Sequence, residues 1–200
     1  MNSKFDNLYA IILAAGASSR FGSPKQLADW QDNHLLQHII DITKIVFDKN
    51  IIVVLGANVE HIKSTLNKSD ITVVENAEWQ TGLSSSIRVG IKTLPEHTDA
   101  AMILLCDQPL IEKTSLKKLK EAWQRQPDKI IASEYHDTVG VPAIFPGNFF
   151  SRLESLQGDK GAKQLLISLK DQVHTVLLPE AGIDIDTLED FEHLKMQLNT

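Results

Sequence analysis

Short apolar runs rich in β-branched residues recur along the chain at 9–13, 51–55, 71–74, 100–105, 130–133 and 174–178. Runs of this length predict strands, several of them buried on both faces. Between them, apolar positions recur at helical spacing over 35–47, 59–67, 85–94, 115–126, 161–169 and 187–198. Strand and helix alternate, which predicts an α/β fold: a mostly parallel sheet with helices on both sides, joined by right-handed crossovers. No repeat, low-complexity tract or Pro/Gly/Ser linker interrupts the pattern, so residues 1–200 are expected to form a single domain.

In such a sheet ligands gather at the carboxyl ends of the strands. This directs attention to the loops after Leu13, Leu55, Val74, Leu105 and Leu178. The first reads Leu13-Ala14-Ala15-Gly16-Ala17-Ser18-Ser19-Arg20-Phe21-Gly22-Ser23-Pro24-Lys25. With so few bulky side chains, its backbone N–H groups can approach phosphate oxygens, while Arg20 and Lys25 supply positive charge. It has neither the spacing of a P-loop nor that of a dinucleotide fingerprint.

The run Met102-Ile103-Leu104-Leu105-Cys106-Asp107-Gln108-Pro109 ends a strand at a carboxylate. Asp107 there is either a ligand for Mg²⁺, which is held by one or two carboxylates together with substrate phosphates, or a helix cap. Near the C-terminal end, Asp184-Ile185-Asp186-Thr187-Leu188-Glu189-Asp190 sets alternating acids before a helix. Asp186 or Thr187 as N-cap with Asp190 in the first turn explains part of this segment, but one cap does not explain both Asp184 and Asp186. After Gly82, the serines 84–86 open a helix with hydroxyls and N–H groups to spare for a base, ribose or phosphate. In Gly158-Asp159-Lys160-Gly161-Ala162-Lys163 the two lysines either meet a second anion or are simply solvated.

Composition narrows the classes. The 20 Lys+Arg against 26 Asp+Glu leave a formal charge of -6, which argues against nucleic-acid binding by broad phosphate neutralisation. A single Cys106 excludes an internal disulfide and a Cys-based zinc site, and the 7 histidines show no paired metal-ligand spacing. With neither a signal-peptide pattern nor a run of roughly 20 apolar residues, the expected location is the cytoplasm, away from the membrane.

Taken together and in order, LAAGASSRFGSPK, ENAEWQTGLSSSIRVGI, CDQPL, GVPAIF, GDKGA and DIDTLED resemble the molybdenum cofactor cytidylyltransferases within the MobA-like nucleotidyltransferases. The resemblance covers nearly the whole chain and implies a three-layer α/β/α, Rossmann-like nucleotidyltransferase fold. It also implies a reaction, transfer of CMP from CTP to the terminal phosphate of molybdopterin-bound molybdenum with release of pyrophosphate. Carried over residue by residue, Arg20 and Lys25 would hold the β- and γ-phosphates, and Asp107 and Asp186 would hold Mg²⁺. The backbone of Leu13, Ala14, Ala15 and Gly16, with Gly82 and Ser86, would read cytosine, and Lys160 would meet the pterin phosphate. Its partners would be CTP, the molybdenum cofactor and, transiently, a recipient molybdoenzyme. The Ala14-Ala15-Gly16 core is similar to the cytidylyl branch, whereas the guanylyl branch carries Ala-Gly-Gly. Phe21 stands where Met is common, and Leu188 where Pro is common. Two alternatives remain: a nucleotidyltransferase of the same fold with another phosphate or alcohol acceptor, and a non-catalytic chaperone of the molybdenum cofactor.

Overall fold

The computed structural model describes residues 7–159 and 161–198. Its strands are β1 (Leu8–Ala14), β2 (Asp29–Trp30), β3 (Asn33–His34), β4 (Ile51–Leu55), β5 (Thr72–Glu75), β6 (Ala100–Leu105), β7 (Ile130–Tyr135), β8 (Thr138–Pro146) and β9 (Val173–Leu177). The helices are α1 (Leu35–Phe47), α2 (Val59–Thr65), α3 (Leu83–Lys92), α4 (Lys113–Arg125), α5 (Phe150–Glu154), α6 (Ala162–Ser168) and α7 (Leu188–Leu198). Seven strands form one sheet in the order β5-β4-β1-β6-β8-β7-β9, while β2 and β3 make a separate hairpin. Within the sheet only β8 runs against the others. The mostly parallel α/β architecture expected from the alternation of elements is therefore present.

Residue parity on β1 shows why the chain layers this way. Leu8, Ala10, Ile12 and Ala14 enter a core with Ile39 and Ile40 of α1, Ile62 of α2 and Leu116, Leu119 and Trp123 of α4. Ile11 and Leu13 face the opposite core, with Ile87 and Ile91 of α3, Leu153 of α5 and Leu166 of α6. Each strand side chain alternates between faces, so a central strand apolar at every position must be covered twice. Helix α3 lies especially close to the sheet, since a Cβ on Gly90 would sit 2.5 Å from Ile11 Cγ2.

The strand β8 has no counterpart among the predicted runs. Gly140 and Pro142 interrupt its apolar sequence, and both signal turns rather than strands. The β7–β8 connection is a two-residue turn at His136 (φ 47) and Asp137 (φ 56), left-handed at both positions as in a type I′ hairpin but without its usual Asn-Gly.

A third cluster joins Phe21, Trp30, Leu35, Ile185, Phe191 and Leu194. Phe21 meets Phe191 edge-on at 5.7 Å, so the aromatic ring at 21 acts in packing. The start of α7 is held by a reciprocal cap: Thr187 N–H donates to Asp190 Oδ2 at 2.8 Å, and Asp190 N–H donates to Thr187 Oγ1 at 3.1 Å. Because Thr187 does the capping, Asp186 is left for other partners. Thr187→Ala is expected to lower stability by about 1 kcal/mol, measured as a shift of the urea midpoint at unchanged m-value. Among the described residues no helix is long and apolar enough to cross a membrane.

Candidate active site

From β1 the chain runs outward through β4 to β5, then returns to β6 on the other flank of β1. Such a reversal leaves a crevice at the carboxyl ends of the two central strands. A cavity of about 370 Å³ opens there, lined by Leu13, Ala14, Ala15, Gly16, Lys25, Gly82, Ser86 and Asp107, all singled out from sequence. Ala17, Gln26, Trp79, Gln80 and Asp159 also line it. Lys160 lies outside the described residues.

One wall is the loop after β1. Leu13 C=O accepts from Cys106 N–H at 3.2 Å and Ala15 C=O from Ala57 N–H at 3.0 Å, which ties the loop to the ends of both neighbouring strands. Gly56 permits this closeness, because a Cβ there would stand 2.7 Å from Ala15 O and 2.7 Å from Trp79 Cβ. The opposite wall is the N-terminus of α3. Gly82 (φ 107) precedes it in a conformation that L side chains avoid. Ser84 N–H donates to Gly158 O at 3.1 Å, so the 158 turn rests on this helix start.

The serines 84–86 prove to be buried. Asn76 Nδ2 donates to Ser85 Oγ at 2.8 Å and to Ser86 Oγ at 3.0 Å, and Ser85 Oγ donates onward to Gly82 O at 2.8 Å. Only Ser86 of the three lines the cavity. Asn76 itself is buried and ties the residue after β5 to the start of α3.

Charge converges at one side of the cavity, where Lys25 and Asp107 line it and Arg20 and Asp186 stand outside its lining. Lys25 Nζ lies 2.6 Å from Asp107 Oδ2 and 3.9 Å from Asp186 Oδ1, and donates to Ile185 O at 3.0 Å. Arg20 pairs with Asp186 Oδ2 at 3.1 Å, its side chain otherwise largely in solvent. Ile185 N–H donates to Asp107 O at 2.9 Å, which splices the two acidic segments main chain to main chain. Arg20 and Lys25 are thus bound to carboxylates in this state. Burial alone would lower the Lys25 ammonium, but the Asp107 carboxylate, joined by Asp186, outweighs it and the net direction is up. Burial pushes the Cys106 thiol up to about 12, so it stays protonated and unreactive.

Asp184 was weighed in the sequence only as one of two alternating acids. Its residue surface is exposed overall, and its pKa is pushed up to about 6 by partial desolvation first and by the charge of Asp107 second. Gln108, buried, donates to Val141 O at 3.1 Å and Ala181 O at 2.7 Å and so joins β8 to this corner. Neither Gln108 nor Asn76 carries a local sequence signal.

Whether a divalent cation suits this side of the cavity can be tested on one atom. Asp107 Oδ1 is buried and has no hydrogen-bond donor among the described residues. A buried carboxylate oxygen without a partner is costly. Beside a second carboxylate, Asp186, it is the donor type that Mg²⁺ or Mn²⁺ takes. The residues present fit such an ion.

The chain is similar to several known proteins. Over 113 residues the chain is 36% identical to the bifunctional protein GlmU of Acinetobacter baumannii (strain AYE), covering 56% of this chain and 24% of that protein. The chain therefore spans about a quarter of the length of that relative. Nicotine blue oxidoreductase of Paenarthrobacter nicotinovorans is 26% identical over 196 residues, covering 92% of this chain and 94% of that one. The crystal structure of Rv0371c from Mycobacterium tuberculosis H37Rv superposes with a TM-score of 0.82 at 28% identity, covering 94% of this chain and 97% of that one. Rv0371c is also known in complex with manganese, with a TM-score of 0.77 at 26% identity and coverage of 94% and 98%. Residues 10–173 match the MobA-like NTP transferase domain, and the chain belongs to that family of nucleotidyltransferases.

Proposed function

We propose that the protein transfers CMP from CTP to the terminal phosphate of molybdopterin-bound molybdenum cofactor, as a cytidylyltransferase whose residues 1–200 work as one domain in the cytoplasm. The observation that carries this reading is the orphaned Asp107 oxygen, set beside Asp186, Arg20 and Lys25 at the mouth of a loop of small residues.

An oxygen of the acceptor phosphate forms a bond to the α-phosphorus of CTP while the bond from that phosphorus to the bridging oxygen of pyrophosphate breaks. The nucleophile is already anionic, so the protein has no proton to remove. Its work is alignment and charge neutralisation. Arg20 and Lys25 exchange their carboxylate partners for the β- and γ-phosphates, and so stabilise the charge that grows on the leaving group. Asp107 and Asp186, released by that exchange, would hold Mg²⁺, or Mn²⁺ as found with Rv0371c. Such an ion supplies Lewis-acid charge stabilisation at the α-phosphate. The N–H groups of the Ala14 to Gly16 loop, with Gly82 and Ser86 opposite, bind the nucleotide. Ala15, in place of the glycine of the guanylyl branch, favours cytosine. Lys160 is proposed for the pterin phosphate, and the product passes to a recipient molybdoenzyme.

With Mg²⁺ and the molybdenum cofactor as acceptor, CTP is expected to yield pyrophosphate far faster than GTP. Equal or faster release with GTP overturns the cytidylyl assignment. Turnover of CTP only with a different phosphate or alcohol acceptor overturns the acceptor. Binding of the cofactor with no turnover of any nucleotide favours a chaperone.

A further inference from the structure

Gln26 was not among the residues the chemistry singled out, yet it is 1% exposed beneath the loop after β1. Its Nε2 donates to Ala14 O at 2.9 Å and to Gly16 O at 2.9 Å. Its Oε1 accepts from Ser18 Oγ at 3.3 Å, and the same hydroxyl oxygen accepts from Lys25 N–H at 3.1 Å. Ala15 O is taken by Ala57 N–H at 3.0 Å and Leu13 O by Cys106 N–H at 3.2 Å. Every carbonyl from 13 to 16 is thereby turned into the protein. Among the described residues no acceptor takes the N–H of Gly16 or Ala17.

We propose that Gln26 is a positioning residue for the nucleotide: its amide holds the carbonyls of Ala14 and Gly16 away from the cavity, so that residues 14–16 meet the triphosphate through N–H donors. This rests on the reading of that loop as the nucleotide site. Two convergent carbonyls need a group with two N–H donors on one nitrogen, and among apolar-compatible side chains only Asn and Gln supply it. A free carbonyl at 14 or 16 would present its negative end to phosphate oxygens. The same residue sets Lys25, its neighbour in the single turn of residues 25–27, through the Ser18 hydroxyl. Loop polarity and the ammonium that meets Asp107 are fixed together.

The test is Gln26→Met, which keeps length and removes the amide, and Ser18→Ala, which removes only the bridging hydroxyl. Equilibrium binding of CTP with Mg²⁺ is measured without acceptor, followed by KM for CTP and for the molybdenum cofactor, with thermal unfolding as a control. CTP affinity in Gln26→Met is expected to fall about tenfold or more, the scale of one or two good hydrogen bonds, with KM for the acceptor within about twofold of wild type. Ser18→Ala should shift the same way by less, and the double variant should lose less than the sum. Wild-type CTP binding in a folded Gln26→Met overturns the proposal, as does an equal rise in both KM values. If Gln26→Met does not fold, Ser18→Ala decides by the same criterion. A wild type that prefers GTP, with GTP binding lost in Gln26→Met, sinks the cytidylyl reading and leaves the role of Gln26 standing. A folded wild type that binds no nucleotide overturns both.

Discussion

Asp107→Asn is expected to cut turnover by at least about tenfold, a loss of roughly 1.4 kcal/mol in transition-state stabilisation, without unfolding the protein. The fold should survive because the structural bond at this position is made by the backbone: Ile185 N–H donates to Asp107 O at 2.9 Å, and the substitution leaves that untouched. What changes is charge. The carboxylate sits 2.6 Å from Lys25 Nζ and offers a second, unpartnered oxygen to a cation. An amide of the same size attracts neither as strongly. Turnover should therefore fall at saturating CTP, and the Mg²⁺ concentration at half-maximal rate should rise. Circular dichroism and the unfolding midpoint separate this from collapse. A rate close to wild type at ordinary Mg²⁺ would remove Asp107 from the reacting centre.

A larger effect on stability is expected at Gly82. Its φ of 107 and ψ of 173 lie where side chains with a Cβ are strained by about 1–3 kcal/mol. Space is lacking too, since an added Cβ would stand 2.5 Å from Gly158 O and 2.7 Å from Asp159 N. Both are backbone atoms and cannot rotate away. Gly82→Ala should thus lose about 2–3 kcal/mol in urea unfolding and, by prising the 158 turn from the start of α3, raise KM for the nucleotide. Gly22→Ala is the control: φ is 84 but nothing lies within 4 Å of the new Cβ, so the loss should be about 1 kcal/mol. Equal losses at both glycines would show that packing against the 158 turn contributes nothing.

Much of this architecture is legible in residue order. α1 spans Leu35–Phe47, the same thirteen positions at which apolar residues recur every three to four, because an unbroken amphipathic stripe leaves few other ways to bury it. β8 is hidden for the opposite reason. Its Gly140 is small because the Tyr135 hydroxyl occupies the space where a Cβ would go, a fact of how the β7–β8 hairpin folds back that residue type alone does not show. The site divides along the same line. Arg20, Lys25, Asp107 and Asp186 stand out as charges at strand ends, and the structure gathers them. Their partners do not follow from type: Lys25 holds a carboxylate here, not solvent, and of the two alternating acids Asp186 is the one that pairs with Arg20 and Lys25. Gln26, Asn76 and Gln108 are neutral amides, and an amide declares its purpose only once the groups it joins have been brought together by the fold.

The aromatic contact between Phe21 and Phe191 bears on the order in which the molecule is made. During synthesis β1 and the loop after it emerge from the ribosome well before α7. Until that helix docks, Phe21 lacks the Phe191 ring and the cluster around Ile185 lacks Phe191 and Leu194. The nascent chain therefore carries its sheet before Asp186 stands opposite Arg20, and a premature stop ahead of residue 188 would leave the third hydrophobic cluster without Phe191 and Leu194.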